Sequence, residues 1–471
     1  MPSPRSRRRA SKPWLKLAVL AALAAGPSAH AQRLGGIVGG LGGLVGPTLG
    51  PTLGAPGAPS APLLGPPPST LAEDPLGVVG RVADNVASLA EQRRLQLRAL
   101  VRANRQLLDL DEHGQPVVRG EVLAVSPSPR SLGLARQAGF TLADEEPLEG
   151  LGISLVVLRA PEGVSAKDAV KRLRKLDPGG SYDYDHLYSV SGRAAPGAAS
   201  PPPTGPSPGA GVGLRLGLVD GGVDAGHPAL AGARIERKAF APGGLVARVH
   251  GTAVASLMVG QQGPFHGAAP GAALFAADVY GSTPAGGAAD AVVRALGWLS
   301  QSRVQVINIS LVGPPNAALE AAVRALRSGG VLVVAAVGND GPAAPPLYPA
   351  GYPQVIAATA VDAHNKALME AGRGTHVDFA APGADMAAAG PGESFATVRG
   401  TSFAAPIVAG ELALQLRGEG PQAAADAVER LGREATDLGP KGPDRTYGRG
   451  LVGARVRTPP REVGTKGPPI S

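Results

Sequence analysis

The chain has 471 residues, enough for two or three domains, and its 68 glycines and 47 prolines mark part of it as linker rather than core. With no cysteine it has no disulfide, no thiolate metal site and no cysteine nucleophile. Residues 1–31 hold six basic side chains and no acidic one, which leaves 39 basic against 37 acidic residues elsewhere, so the formal charge of +8 implies no nucleic-acid partner.

Residues 1–31 read as a signal peptide: a basic start, an apolar run from Leu15 to Ala25 broken by Lys16, and Ala29-His30-Ala31 as a small-x-small cleavage signature. The run is about half of the roughly 20 residues a membrane span needs, so no stable span is expected. Arg7-Arg8 lacks the aromatic of a twin-arginine signal, which favours the general secretory route. Export of a cysteine-free chain points to a bacterial periplasm or exterior. Residues 32–80 are Gly/Pro-rich linker. A helical segment with a loose apolar face (Val82, Val86, Leu89, Leu97) follows over 81–112.

Residues 113–192 read as an α+β unit. Strands are expected at Val117–Val125, Phe140–Leu142, Ile153–Arg159 and Tyr182–Val190, with helices at Arg130–Gln137 and from the cap Ser165 to Leu176. That β-α-β-β-α-β order is the ferredoxin-like one. A Pro/Gly/Ser linker occupies 193–210, and 457–471 reads as a flexible tail. Between them, over 211–456, strands at Leu214–Val219, Val304–Ile309 and Gly330–Val337 alternate with helices at Thr252–Val259, Ala288–Ser300, Ala317–Ser328 and Ser402–Leu416. Alternation of this kind predicts an α/β domain with a mainly parallel sheet.

Chemistry-bearing residues sit at the ends of these elements. Asp220 closes an apolar strand, His250 opens a helix in Val249-His250-Gly251-Thr252, and Ser402 heads the alanine-rich helix after Gly400-Thr401. A serine there meets unpaired N–H groups and the positive end of the helix dipole, which suits a nucleophile and equally an ordinary cap. Asp, His, Ser is one of the chain orders of the catalytic triad. Asp224 and His227 compete but lie in a loop, and His266, His364 and His376 lack a comparable setting.

The segments Gly217-Leu218-Val219-Asp220-Gly221-Gly222-Val223-Asp224, His250-Gly251-Thr252 and Gly400-Thr401-Ser402-Phe403-Ala404-Ala405-Pro406 resemble the three signature blocks of the subtilisin-like serine proteases. Gly267 to Ala272, Asn308 to Leu311, Ala335 to Asn339 and Ala380 to Gly383 fall in the family's order. The resemblance implies a three-layer subtilisin-like fold. It assigns Ser402 as nucleophile, His250 as general base, Asp220 as its orienting carboxylate and Asn339 as oxyanion-hole donor. It makes Ser310-Leu311-Val312 the edge that pairs with a polypeptide substrate, with Tyr280-Gly281-Ser282 as a looser candidate for the opposite edge.

The α+β unit would be a propeptide-like intramolecular inhibitor, cut in or near Ser191–Gly211. A monomer is expected. Structural calcium is compatible with the family, yet Asp278, Asp290 and Asp378 show no dense ligand spacing, so no cofactor or metal residue is assigned. Two positions depart from the family pattern: Gly221 replaces the usual Ser or Thr, and Val312 replaces the glycine beside the primary pocket. Both motivate the alternative of a weak or inactive, chaperone-like peptide binder. A structural envelope protein rests on the Gly/Pro-rich segment alone.

Overall fold

The computed structural model describes residues 75–190, 192–194 and 209–464. The expected signal segment, the Gly/Pro-rich stretch up to residue 74, linker residues 195–208 and the tail beyond 464 lie outside them.

Helix α1 spans Pro75–Ala103, and the last turn expected of it is instead the strand β1, Leu108–Leu110. Asn104 ends the helix by turning its side-chain amide back onto the Leu100 carbonyl at 2.9 Å. There follow β2 (Pro116–Val125), α2 (Pro129–Gln137), β3 (Thr141–Leu148), β4 (Ile153–Arg159), α3 (Ala166–Leu176) and β5 (Ser181–His186). Ser128 and Ser165 cap the two later helices, accepting from the N–H groups of Ser131 and Asp168. The strands pair antiparallel in the order β5-β2-β4-β3, which is the ferredoxin-like arrangement.

The single strand expected over 182–190 is divided. The chain leaves this sheet after His186, and β6 (Ser189–Val190) and β7 (Arg193–Ala194) pair with strands of the α/β domain.

That domain begins with β8 (Arg215–Asp220), β9 (Ile235–Ala239), α4 (Val249–Val259), β10 (Gln261–Gln262), β11 (Phe265–His266) and β12 (Ala273–Asp278). Next come α5 (Ala289–Gln301), β13 (Val306–Ile309), β14 (Leu311–Val312), α6 (Ala317–Ser328), β15 (Leu332–Ala336) and β16 (Ile356–Val361). It closes with β17 (Val377–Pro382), β18 (Ala384–Ala389), β19 (Phe395–Arg399), α7 (Thr401–Gln415) and α8 (Gly420–Glu434). Seven strands form one parallel sheet in the order β17-β16-β15-β13-β8-β12-β9.

Alternation along the strands sends successive side chains to two cores. Leu216, Leu218, Val306, Leu332 and Val334 face α4 and α7, while Val219, Ile307, Ile309, Val333 and Ala335 face α5 and α6. Covered on both faces, the strands need no polar side, which is why they read as continuous apolar runs.

The α+β unit uses its two faces differently. Val122, Ala124, Val156 and Leu158 pack on its own helices, whereas Leu123, Leu155 and Val157 join the core around α5 and α6. Residues 457–464, expected as free tail, are packed: the Thr458 carbonyl accepts from Ala387 N–H at 2.8 Å and Arg457 bonds the Asp362 carbonyl at 2.7 Å. Among the described residues, no helix is long and apolar enough to cross a membrane.

Candidate active site

The sheet order reverses direction between β8 and β13, and open α/β sheets place their sites in the crevice outside the strand ends at such a point. Asp220 is the last residue of β8, and Asn308, Ser310 and Leu311 mark the end of β13 and the start of β14 beside it.

Into this crevice α4 brings His250 and α7 brings Ser402. His250 Nδ1 lies 2.9 Å from each Asp220 carboxylate oxygen, and its Nε2 lies 3.0 Å from Ser402 Oγ. Asp220 is fully buried, and Oδ1 also accepts the Gly221 N–H at 2.6 Å. With Asp220 accepting at Nδ1, the neutral ring carries its proton there and presents Nε2 as acceptor to the serine hydroxyl. The Phe403 ring, its centroid 5.3 Å from that of His250, packs beside the imidazole.

Ser402 is not the helix cap. Gly400, at φ +141°, holds the cap position that a side chain would strain, and Ser402 is the second helical residue. Helix α7 is buried from Thr401 to Ala413, so its amino-terminal N–H groups face the crevice in a dry setting. Thr401 fixes the neighbouring loop twice. Its hydroxyl accepts from Gly338 N–H at 3.1 Å, and its own N–H donates to Asn339 Oδ1 at 3.1 Å. With its oxygen anchored, Asn339 has the amide nitrogen as its donor end.

Ser310 falls elsewhere than expected. Its side chain is fully buried and donates to the Ser402 backbone carbonyl at 2.8 Å, while Asn308 Nδ2 donates to Ser310 Oγ at 2.9 Å. It fixes the start of α7, and the edge is formed by Leu311 and Val312. Nothing local to the sequence marks these supporting roles of Thr401 and Ser310, because their partners lie 62 to 92 positions away, and Asn308 acts through Ser310.

The crevice is filled by the chain itself. Leu187 bridges Ala288 and the Tyr188 N–H donates to Gly287 O at 2.8 Å; β6 then pairs Val190 with Leu311 and Ser189 with Val312. Tyr188 is buried, with its hydroxyl donating to Pro314 O at 2.8 Å and its carbonyl accepting from the Tyr280 hydroxyl at 2.9 Å. Gly192 passes the serine so closely that a Cβ there would stand 2.2 Å from Ser402 Oγ. Beyond it β7 pairs with β19, Arg193 opposite Arg399 and Ala194 opposite Val398.

The opposite edge is therefore Gly287–Ala288 rather than Tyr280-Gly281-Ser282. Gly281, at φ +52°, turns its carbonyl to Arg248 Nη2 at 2.7 Å and its N–H to Asp278, so it has no edge to offer.

The competing residues are accounted for. His227 is buried, accepts the Ala229 N–H at Nδ1 and faces the Ser394 carbonyl through Nε2, so it pins two loops. Asp224 accepts from Gly226 N–H in a turn. His266 and His376 are held below the ordinary imidazole value by burial, away from Ser402. Asp278 accepts the N–H groups of Val246, Tyr280 and Gly281, and Asp378 that of Ala357. Among the described residues no group of three or more His, Asp or Glu side chains is arranged to hold a metal ion.

The profile described as the subtilase family, Peptidase S8, matches residues 211–450. Subtilisin E of Bacillus subtilis is 33% identical over 310 residues, covering 61% of this chain and 77% of its own length. Subtilisin Savinase of Lederbergia lenta is 36% identical over 212 residues, covering 44% and 77%. The crystal structure of fervidolysin from Fervidobacterium pennivorans, a keratinolytic enzyme related to subtilisin, superposes with a TM-score of 0.63 at 21% identity. That superposition spans 73% of this chain and 61% of fervidolysin, and at such identity it speaks for the fold alone.

Proposed function

The chain belongs to the subtilase family and is a serine-type endopeptidase, and from that premise we propose that it is made as an exported zymogen whose own residues 187–190 and 192–194 block the cleft until Ser402 cuts the chain beside Gly192. The observation that carries this reading is the hydrogen-bonded chain Asp220–His250–Ser402 with Gly192 laid against the serine hydroxyl.

The chemistry follows from the distances. His250 Nε2 takes the hydroxyl proton as Ser402 Oγ attacks a carbonyl, and the Asp220 carboxylate stabilises the imidazolium that forms. The new oxyanion is received by the Ser402 N–H at the start of α7 and by Asn339 Nδ2, donors set before the charge appears. Collapse breaks the C–N bond; the imidazolium gives its proton to the leaving amine, and water then releases the acyl group by the same steps in reverse roles.

The run of β6 and β7 through the cleft supports one bond as the site of the cut. Ser189 and Val190 lie along the acyl side of the cleft and Arg193 begins the leaving side, which favours the bond on the amino side of Gly192. Sequestration by the α+β unit and export through the basic, apolar start of the chain complete the reading. Polypeptides are the substrates, and the chain acts as a monomer.

Intact-mass analysis of the exported protein tests all of this together. Wild type should yield a fragment beginning at or next to Gly192, and Ser402→Ala should stay joined across it. A wild type that digests peptides while remaining uncut would sink the zymogen reading and leave the protease intact.

A further inference from the structure

Arg93, on α1, reaches across the molecule to the cleft. Its Nη1 lies 3.0 Å from Asp340 Oδ2, and its Nη2 lies 3.2 Å from the Val312 carbonyl and 3.4 Å from Ser189 Oγ. The Arg93 and Asp340 side chains are only 17% and 18% exposed. Asp340 follows Asn339, and Val312 is the residue opposite Ser189, so the guanidinium sits on the acyl side of the cleft itself.

We propose that Asp340 and the Val312 carbonyl form a cation-binding subsite that selects arginine or lysine three residues before the cleaved bond, and that Arg93 occupies it in the uncut chain. The proposal rests on cleavage beside Gly192. That cut removes Arg93 with everything upstream, and no other cation pairs with Asp340 among the described residues. The Ser189 hydroxyl already points at the bound guanidinium, so a longer side chain from the same position arrives at the same place. Arginine fits the pair of acceptors through its two terminal nitrogens, and lysine offers a single point charge.

A second observation agrees on charge. A cavity of about 850 Å³ lies between α1, the α+β unit and the start of α6. Its lining before the cut mixes Arg93, Arg94 and Arg174 with Glu91, Asp111, Glu112 and Asp183, whereas the charged residues lining it from beyond the cut are Asp340 and Glu320, the latter paired with Arg324. Removal of the upstream region therefore leaves Asp340 without its arginine, and no basic residue of the lining, beside the third acyl-side position.

The test uses the full-length chain after it has processed itself, assayed on peptides spanning Leu187–Ala194 with Arg, Lys, Ser or Glu at the position of Ser189. We expect kcat/KM in the order Arg, Lys, Ser, Glu, with Arg about tenfold above Ser, as one part-buried charged hydrogen bond provides. The Arg-to-Ser ratio should shrink in high salt and collapse towards one in Asp340→Asn. In Asp340→Lys the order should invert, with Glu ahead of Arg. Equal cleavage of all four peptides, or an undiminished ratio in Asp340→Asn, overturns the subsite and leaves the protease reading standing. Should the variants fail to fold, the salt dependence of the wild-type ratio decides. A wild type that cleaves none of the four defeats the protease reading first, and the subsite falls with it.

Discussion

The α/β domain and the α+β unit docked on it are built from different kinds of contact. In the first, Asp220, His250 and Ser402 stand at the ends of β8, α4 and α7, elements locked between two large apolar cores. The second meets the first through Leu123, Leu155 and Val157, which join the core around α5 and α6, and through a rim of polar bonds. Asp183 accepts the Ala317 N–H at the start of α6 at 2.7 Å, Asp185 accepts the Asp290 N–H near the start of α5 at 3.0 Å, and Ser300 donates to Gly150 O at 2.7 Å. Asn316 adds a bond to Tyr184 O at 2.8 Å. The triad is thus held wholly within the packing of one domain, whereas the α+β unit is held to it by an apolar patch and polar bonds that are each modest.

The sharpest way to separate the two is to remove a donor from the first. Asn339→Ala should lower kcat by about 10²–10³, the magnitude established for such a donor in subtilisin, itself a member of this family. KM and the hold of the α+β unit should stay nearly unchanged, because the Gly338 N–H still donates to the Thr401 hydroxyl and keeps the loop within reach of α7. A loss of less than tenfold would remove Asn339 from the oxyanion site.

The clamp should instead answer to pH. Asp185 is buried at the interface, and its Oδ2 has no partner. Burial, then the charges of Asp290 and Glu121, push its carboxyl well above the ordinary value, against the attraction of Arg294; burial also raises Asp290. The docked state thus holds protons that the released state gives up. Docking is strongest below the ordinary carboxylate value and weakens as pH rises from there towards the raised values. The slope is at most about tenfold in affinity per pH unit for each proton. Release of the processed unit, followed as the lag before activity, should shorten from pH 4 to pH 7. Asp185→Asn should flatten that dependence; a lag that lengthens with pH would reverse the assignment.

Removing one cap tests how evenly the clamp is shared. Asp183→Ala frees the Ala317 N–H and breaks the 3.3 Å pair with Arg174. At about 1 kcal/mol for a helix cap, release should quicken roughly fivefold. A hundredfold change would mean that this one carboxylate carries the interface.

The sequence made the first region more legible than the second. Asp220, His250, Asn339 and Ser402 sit in short segments whose residue types the chemistry itself requires, and β8, β13 and β15 announce themselves as apolar runs. The alanine-rich strands β17 and β18 do not, since alanine favours helix and only pairing within the sheet decides otherwise. The break between β5 and β6 carries no turn residue. Leu187 and Tyr188 keep the chain extended while it changes partners from β2 to Gly287 and Leu311. Arg93 was hidden for another reason, as its partner in the cleft lies 247 positions away.

Gly221 offers the smallest and most discriminating test of how the catalytic half is built. By its residue type alone it deprives Asp220 of a neighbouring hydroxyl. In the folded chain the Gly221 N–H already donates to Asp220 Oδ1 at 2.6 Å, and His250 Nδ1 meets both oxygens. The vacated space is filled: a Cβ at Gly221 would stand 2.5 Å from Cδ of Arg248. That arginine is flexible and exposed, bonded to Gly281 O at 2.7 Å, so it can swing aside at modest cost. Gly221→Ser therefore trades one polar contact for another, and kcat/KM should change by no more than about threefold, within the size of a single exposed interaction. A gain of tenfold or more would show that the carboxylate is under-supported in the native chain.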